Sequence, residues 1–197
     1  MPSPPPLPPP PSSSEPELAS IFAGKVILIT GAGSGVGRAL AHHISTLLPP
    51  SQQPPPLSQQ QPTHLILLDT DFTSLERTSR LCRSTSPTIK ITLSDTDASS
   101  AQEVSTCLAE HAAARGIDYV ITTPSPSPPS VASRAGLAGM TDAQFDDAVS
   151  EGLRGVFNVC RGFAGTSASR PGGGVVNVVK AVSGGVVDEA CLWGVVG

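Results

Sequence analysis

The clearest indication of the fold is the segment Lys25-Val-Ile-Leu-Ile-Thr30, which is followed at once by Gly31-Ala-Gly-Ser-Gly-Val-Gly37. Its first half is a continuous apolar run, which is typical of a strand buried on both faces of a parallel sheet. Its second half is rich in glycine, and Gly35 to Leu48 then shows a helical pattern. Four apolar residues are expected on one face of this helix: Val36, Leu40, Ile44 and Leu47. The segment therefore predicts a strand, a tight turn and the start of a helix.

Short apolar runs alternate with helical patterns along the rest of the chain. Further strands are predicted at His64–Asp69, Thr88–Leu93, Ile117–Thr122 and Gly174–Val179. The predicted helices between them are Phe72–Cys82, Ala101–Ala114 and Asp142–Phe163. This alternation indicates βαβ units, whose right-handed crossovers build a parallel sheet. We predict an α/β fold, a doubly wound parallel Rossmann sheet of about five strands.

Two stretches of the chain are too rich in proline to join that sheet. Residues 1–16 and 49–62 hold 15 of the 21 prolines, and proline lacks the backbone N–H that a sheet or helix interior needs. We expect a disordered Pro/Ser-rich tail over residues 1–20. The remainder, 21–197, is predicted to form one Rossmann domain with a Pro/Gln-rich insertion at 49–63.

Composition excludes several classes of function. The net charge is −4 and the three lysines are far apart, so a nucleic-acid interface is not expected. No apolar run approaches the ~18–20 residues of a membrane span, and the N-terminus has no signal-peptide pattern. The four cysteines form no CxxC pair, so we expect reduced thiols, a cytoplasmic protein and no metal site.

The glycine loop predicts a site for a dinucleotide. A pyrophosphate must approach backbone N–H groups closely, which a Cβ would prevent, and the helix start adds orphan donors and a positive dipole end. The predicted cofactor-binding residues of the loop are Gly31, Ser34, Gly35, Val36 and Gly37. The alternative is a glycine-rich turn that binds nothing.

Asp69 closes the second predicted strand and predicts which dinucleotide is bound. An acidic residue there accepts hydrogen bonds from the adenosine ribose and repels a 2′-phosphate, which favours NAD over NADP. It stands further from the glycines than is usual, and the insertion at 49–63 accounts for the excess, because surface insertions cost little. The alternative is an aspartate that only shapes the turn after the strand.

With these motifs the chain resembles the short-chain dehydrogenase/reductase (SDR) family from about Lys25 to Gly197. Thr30–Gly37 is similar to the family's TGxxxGxG loop, and Gly116–Ile121 is similar to the approach to its Asn-Asn-Ala-Gly motif. The segment from Asp97 to Val104 is similar to the one whose aspartate contacts the adenine ring. The resemblance therefore implies that role for Asp97, with Asp95 as a close competitor, and implies a relation to oxidoreductases acting on alcohol or carbonyl groups.

The family's catalytic positions do not match. Thr122-Thr-Pro-Ser125 replaces Asn-Asn-Ala-Gly, and Gly152 and Lys180 stand where the catalytic Asn and Ser are expected. No Tyr-x-x-x-Lys exists, and Tyr119, the only tyrosine, is inside a predicted strand. Gly185 and Glu189 occupy the Tyr and Lys positions. We therefore predict no catalytic residue, and whether the protein is an enzyme stays open.

The family's members continue beyond the helix with which this sequence ends. A C-terminally shortened sheet would leave its fifth strand as an exposed edge, which invites pairing with another chain. We therefore expect a homo-oligomer or a partner chain at this edge.

Three functions follow from these patterns. The first is an SDR-family NAD(P)-binding protein with little or no intrinsic catalysis, a pseudoenzyme. The second is an active NAD(P)-dependent dehydrogenase/reductase that uses non-standard residues or a partner chain. The third is an interaction protein acting through its Pro-rich arm, in which Pro4–Pro11 is a candidate ligand for SH3- or WW-type grooves.

Overall fold

The structure is a computed structural model that describes residues 15–48, 61–123, 141–143, 146, 153–165 and 169–178. Five strands form one sheet in the order β3-β2-β1-β4-β5, and every neighbouring pair is parallel. The elements are α1 (Glu15–Phe22), β1 (Val26–Thr30), α2 (Gly35–Leu47), β2 (His64–Asp69), α3 (Phe72–Thr85), β3 (Lys90–Asp95), α4 (Ala101–Ala114), β4 (Ile117–Thr122), α5 (Gly155–Gly165) and β5 (Ser169–Asn177). The predicted α/β class and doubly wound parallel sheet are confirmed.

Both faces of the sheet are covered, which explains the continuous apolar runs in its central strands. Alternate residues of β1 point to opposite sides: Ile27 and Ile29 pack into the cluster under α2 and α3, whereas Val26 and Leu28 pack into the cluster under α4 and α5. All five residues of β1 are buried. A strand enclosed in this way has no polar side to alternate with its apolar one.

Several element boundaries agree with the sequence and others differ. The strand β5 begins at Ser169, five residues before the predicted Gly174, and α3 continues three residues beyond the predicted Cys82 to Thr85. The strands β2 and β4 and the helix α4 have the predicted bounds. The strand β3 begins two residues later than predicted, at Lys90, because the N–H of Ile89 bonds back to the carbonyl of Ser86 and keeps this turn out of the sheet. Of the long helix predicted over 142–163, only the described part can be compared, and α5 ends at Gly165.

The helix α1 was not predicted, and it begins inside the segment expected to be a tail. Its last residue, Phe22, packs edge-on against Tyr119 with ring centroids 6.2 Å apart. The carbonyl of Phe22 accepts a hydrogen bond from the hydroxyl of Thr63 at 3.0 Å. This packing ties the end of α1 to the domain. Residues 1–14 and 49–60 lie outside the described residues.

The strand β5 is an edge of the described sheet. Its valines Val175 and Val176 are 40% and 53% exposed, and it pairs with β4 on its other side. Among the described residues, the helices are too short or too polar to span a bilayer.

Candidate functional site

The site is built where the carboxyl ends of the strands meet. The strands β1 and β4 are neighbours, but the helix after β1 packs on one face of the sheet and the helix after β4 on the other. This reversal of direction opens a crevice between the two loops, which is where open α/β sheets bind their ligands.

The glycine loop after β1 has the backbone shape that the sequence predicts. Gly31 and Gly35 adopt positive φ angles of 61° and 47°, which residues with a Cβ rarely adopt. An ideal Cβ on Gly35 would meet nothing within 4 Å, so this residue faces open space. Ser34, the N-cap of α2, is extended and makes no side-chain capping bond. The amides of the first helical turn have no partner within the helix and lie beside that open space.

Gly37 has a different role, because it lets α2 pack against the loop. A Cβ at this position would lie 2.7 Å from the carbonyl carbon of Gly31 and 2.9 Å from the hydroxyl oxygen of Thr123, and it would overlap the carbonyl oxygen of Gly31. Only glycine fits here without moving backbone atoms. Gly37 therefore supports the shape of the loop through its close packing against Gly31 and Thr123.

Thr123 joins the loop to the end of β4. Its hydroxyl donates to the carbonyl of Thr30 at 2.6 Å, and its N–H donates to the hydroxyl of Thr30 at 3.1 Å. Both threonines are buried. Thr123, one of the residues that stand in place of Asn-Asn-Ala-Gly, therefore joins the ends of β1 and β4 at the crevice.

Asp69 connects the end of β2 to the same loop. One carboxylate oxygen accepts a 2.8 Å hydrogen bond from the N–H of Gly33, and the other accepts one of 3.1 Å from the N–H of Asp71. Asp69 thus stabilises the turn after its own strand, as the alternative interpretation of this residue expected. It also holds the glycine loop in place. A carboxylate has about four acceptor positions, and because Asp69 is only partly buried, two remain for a ligand. Gly33, which sequence reasoning missed, is required because a Cβ would lie 2.8 Å from Asp69 Oδ2.

Asp97 lies in the turn after β3. Its two carboxylate oxygens accept hydrogen bonds of 2.8 Å from the N–H and the hydroxyl of Ser99, and its own N–H donates to Glu103 at 2.9 Å. The competitor Asp95 ends β3, where it is exposed and in register with Asp69. Both aspartates therefore lie beside the end of β2, on the flank of the crevice away from β4.

One predicted packing contact is wrong. Val36, expected on the inner face of α2, is 51% exposed, because the face that packs on the sheet is formed by Gly37, Ala41 and Ile44. Val36 instead stands beside Gly35 at the open end of the helix, where a side chain can still contact a bound ligand.

Tyr119 and two histidines lie away from the crevice, whereas Arg38 on α2 donates hydrogen bonds to the carbonyl of Gly33 and, at 3.1 Å, to the hydroxyl of Thr78. Tyr119 is opposite Ile27 in the sheet and packs against Phe22, so it does not approach the glycine loop. His64 and His111 form an edge-on pair at the other end of the strands, with ring centroids 6.3 Å apart. Burial and the charge of Lys90 lower the pKa of His64 to about 4.

The positions aligned with the family's catalytic residues cannot be placed. Gly152, Lys180, Gly185 and Glu189 lie outside the described residues. Among the residues that the structure does describe, no group of histidine, cysteine and carboxylate side chains is arranged to hold a metal ion.

The described residues fit the phosphates and ribose of a dinucleotide. The fit rests on the open space at Gly35, where a Cβ would meet no protein atom, beside the uncapped start of α2. Such a helix start offers N–H donors and a positive dipole end to an anion. Asp69 is hydrogen-bonded to the same loop, so its carboxylate offers hydrogen-bond acceptors next to that helix start.

Solved structures of several dehydrogenases superimpose on this chain. The chain superimposes on the citronellol catabolism dehydrogenase of Pseudomonas aeruginosa with a TM-score of 0.65 at 24% identity, over 87% of this chain and 64% of that one. An SDR-type glucose/ribitol dehydrogenase of Brucella melitensis gives 0.60 at 24% identity, over 88% and 63%. An NAD⁺-bound xylitol dehydrogenase gives 0.64 at 20% identity, over 88% and 59%.

These similarities establish the fold. At such identities the chain is shown to have the Rossmann-type fold of SDR structures, and it spans less than two thirds of the length of these three proteins. Neither the protein-family models nor the curated proteins contain a match.

Proposed function

We propose that this chain, which has the fold of SDR oxidoreductases, is an NAD-binding member of that family with little or no catalysis of its own. The observation that carries the proposal is the loop Gly31–Gly37, whose open face at Gly35 and uncapped helix start lie beside Asp69. This arrangement would be unexplained in a turn that binds nothing.

Different residues of the crevice would bind different parts of the dinucleotide. The amides at Ser34, Gly35 and Val36 would hold the pyrophosphate, with the Ser34 hydroxyl as a further donor, because they begin α2 and face open space. The free acceptor positions of Asp69 would bind the ribose hydroxyls. A 2′-phosphate would meet its negative charge instead, which supports NAD over NADP. Asp97 would lie at the adenine end.

A bound nicotinamide would supply hydride transfer, but a carbonyl substrate also needs a proton. Around the ends of β4 and β5 the described polar side chains include Thr122, Thr123 and Asn177, with the thiol of Cys160 on α5 close to Asn177. The hydroxyl of Thr122 donates to Asn177 at 2.7 Å, and burial raises the pKa of the Cys160 thiol. None of these is a proton donor suited to neutral pH, and positioned acid–base catalysis is typically worth ~10²–10⁴-fold. This supports binding with little turnover.

The test is a titration with NADH and NADPH, followed by nucleotide fluorescence, with Asp69→Ala and Asp95→Ala compared. We expect the unmodified protein to prefer NADH. Asp69→Ala should lose that preference, because removing the carboxylate removes both the ribose acceptors and the repulsion of a 2′-phosphate. Asp95→Ala, which removes a neighbouring exposed carboxylate, should keep it.

The proposal fails if neither nucleotide binds, or if Asp95→Ala rather than Asp69→Ala changes the preference. The catalytic part is tested separately, by following NADH oxidation with a panel of aldehydes and ketones. Turnover by the purified chain would contradict the pseudoenzyme and favour the active-enzyme alternative.

Two further expectations belong to this proposal. The thiols of Cys82, Cys107 and Cys160 are free, which suits a reducing compartment such as the cytoplasm. The exposed valines of β5, with the exposed Phe157 on α5, support an oligomer or a partner chain at this side of the sheet. A monomer measured by light scattering at micromolar concentration would refute that expectation.

A further inference from the structure

Asn158 on α5 is a buried polar residue that the proposed binding site does not use directly. Only 5% of it is exposed, and its amide nitrogen donates to the carbonyl of Ala98 at 3.1 Å and to the carbonyl of Ser99 at 2.9 Å. One side chain thus satisfies two consecutive carbonyls that belong to the turn after β3, about 60 residues earlier in the chain.

The helix is shaped to allow this contact. Gly155 precedes Asn158 by three residues and therefore lies on the same face of α5. An ideal Cβ on Gly155 would lie 3.3 Å from the Cβ of Ala98, closer than most side chains tolerate. The glycine brings the helix up to the turn, and Asn158 then reaches its carbonyls.

The turn that Asn158 holds also orients Asp97. Both carboxylate oxygens of Asp97 are bound by Ser99, through its N–H and its hydroxyl, each at 2.8 Å. Ser99 is therefore hydrogen-bonded on both sides: its N–H and hydroxyl hold Asp97, and its carbonyl is held by Asn158. Moving Ser99 would move the carboxylate.

We propose that Asn158 is a positioning residue that presents Asp97 to the adenosine end of the dinucleotide. The inference rests on the proposed function, which assigns that end of the ligand to Asp97. It predicts an effect confined to one half of the ligand, because Asn158 contacts the turn after β3 and the glycine loop is held by Asp69 and Thr123. A residue that merely stabilised the fold would show no such selectivity between the two halves of the ligand.

The experiment compares Asn158→Leu with Val159→Ala. Leucine is branched at Cγ like asparagine, although it is larger, and its side chain donates no hydrogen bond. Val159 is the next residue of α5 and is 1% exposed, so its truncation destabilises the same helix and removes none of the hydrogen bonds that hold the turn. Asn158→Ser, which is smaller but keeps a donor, serves if the leucine variant does not fold.

For each variant we would measure the dissociation constants of NADH, AMP and nicotinamide mononucleotide. We expect Asn158→Leu to weaken the binding of NADH and of AMP about tenfold, which corresponds to about 1.4 kcal/mol. The affinity for nicotinamide mononucleotide should be unchanged. Asn158→Ser should show a smaller loss in the same direction. Val159→Ala should lower the melting temperature and leave all three constants unchanged.

Hydrogen exchange gives a readout without ligand. The amides of Ser99 and Ser100 should exchange faster in Asn158→Leu than in Val159→Ala. Unchanged NADH affinity in Asn158→Leu, or equal losses for AMP and the mononucleotide, would overturn the inference and leave the proposed function standing. Failure of the unmodified protein to bind NADH would refute the proposed function and this inference with it.

Discussion

Replacing Gly37 by alanine should damage both the fold and the binding loop. The new Cβ would overlap the carbonyl oxygen of Gly31 and lie 2.9 Å from Thr123 Oγ1. These neighbours are a backbone carbonyl and a hydroxyl tied to Thr30 at 2.6 Å, so neither can simply swing away. Overpacking of this kind costs typically ~1–3 kcal/mol, and the better helix propensity of alanine returns at most ~1 kcal/mol.

Because the overlap is with backbone atoms, we expect the upper part of the overpacking range, about 2–3 kcal/mol. The net loss for Gly37→Ala is then about 1–2 kcal/mol, or a fall in melting temperature of about 2–8 °C for a domain of this size. NADH affinity should fall at least ~10-fold, about 1.4 kcal/mol, because α2 must shift away from the loop. Gly165→Ala is the matched control, since its Cβ would meet nothing within 4 Å. Thermal unfolding and NADH fluorescence check both quantities. If Gly37→Ala melts and binds like Gly165→Ala, the argument from close packing is wrong.

Three other changes test different parts of the structure. Asp118→Ala should lower stability by about 1.5–3 kcal/mol in thermal unfolding, because the buried carboxylate accepts the N–H of Val26 at 2.8 Å; a change below 0.5 kcal/mol would count against this. Thr123→Val should weaken NADH binding measured by fluorescence, since the hydroxyl bond between the β1 and β4 ends is lost; unchanged affinity would show that the bond is dispensable. Acid should destabilise the unmodified protein more than the His64→Asn variant. The pKa of His64 is about 4 in the folded protein against 6.5 in the unfolded chain, so the unfolded chain binds more protons between these pH values. About 1–2 kcal/mol of the free energy of unfolding is therefore lost as the pH falls from about 6.5 to 4. Parallel pH profiles of the two proteins would contradict it.

The sequence was sufficient to predict the sheet and its helices, because buried strands leave a continuous apolar run in the sequence. The strands β2 and β4 are apolar on both faces and lie between turn residues, and their predicted bounds agree with the structure. The placement of Gly31, Gly35 and Asp69 followed from the same pattern, since loops after neighbouring parallel strands must meet at one edge of the sheet.

Contacts between distant segments left no such pattern. The bonds from Asn158 to Ala98 and Ser99 join residues about 60 positions apart, and a single asparagine in a helix carries no periodic signal. The helix α1 was missed because its stabilising contacts, between Phe22 and the residues Tyr119 and Thr63, are also tertiary. Val36 was misplaced although α2 begins where predicted, because the face that packs on the sheet contains the small residues Gly37, Ala41 and Ser45. Apolar periodicity gives such residues little weight, and one residue of shift rotates a helix face by about 100°.

A dinucleotide bound at the carboxyl ends of β1 and β2 would change the amide chemical shifts of labelled protein during a titration with NAD⁺. We expect saturable shifts at Gly33, Gly35 and Asp69, with Gly24 and Gly116, at the opposite ends of the strands, unchanged. Absence of shifts at saturating NAD⁺, or shifts centred on Gly24 and Gly116, would contradict it.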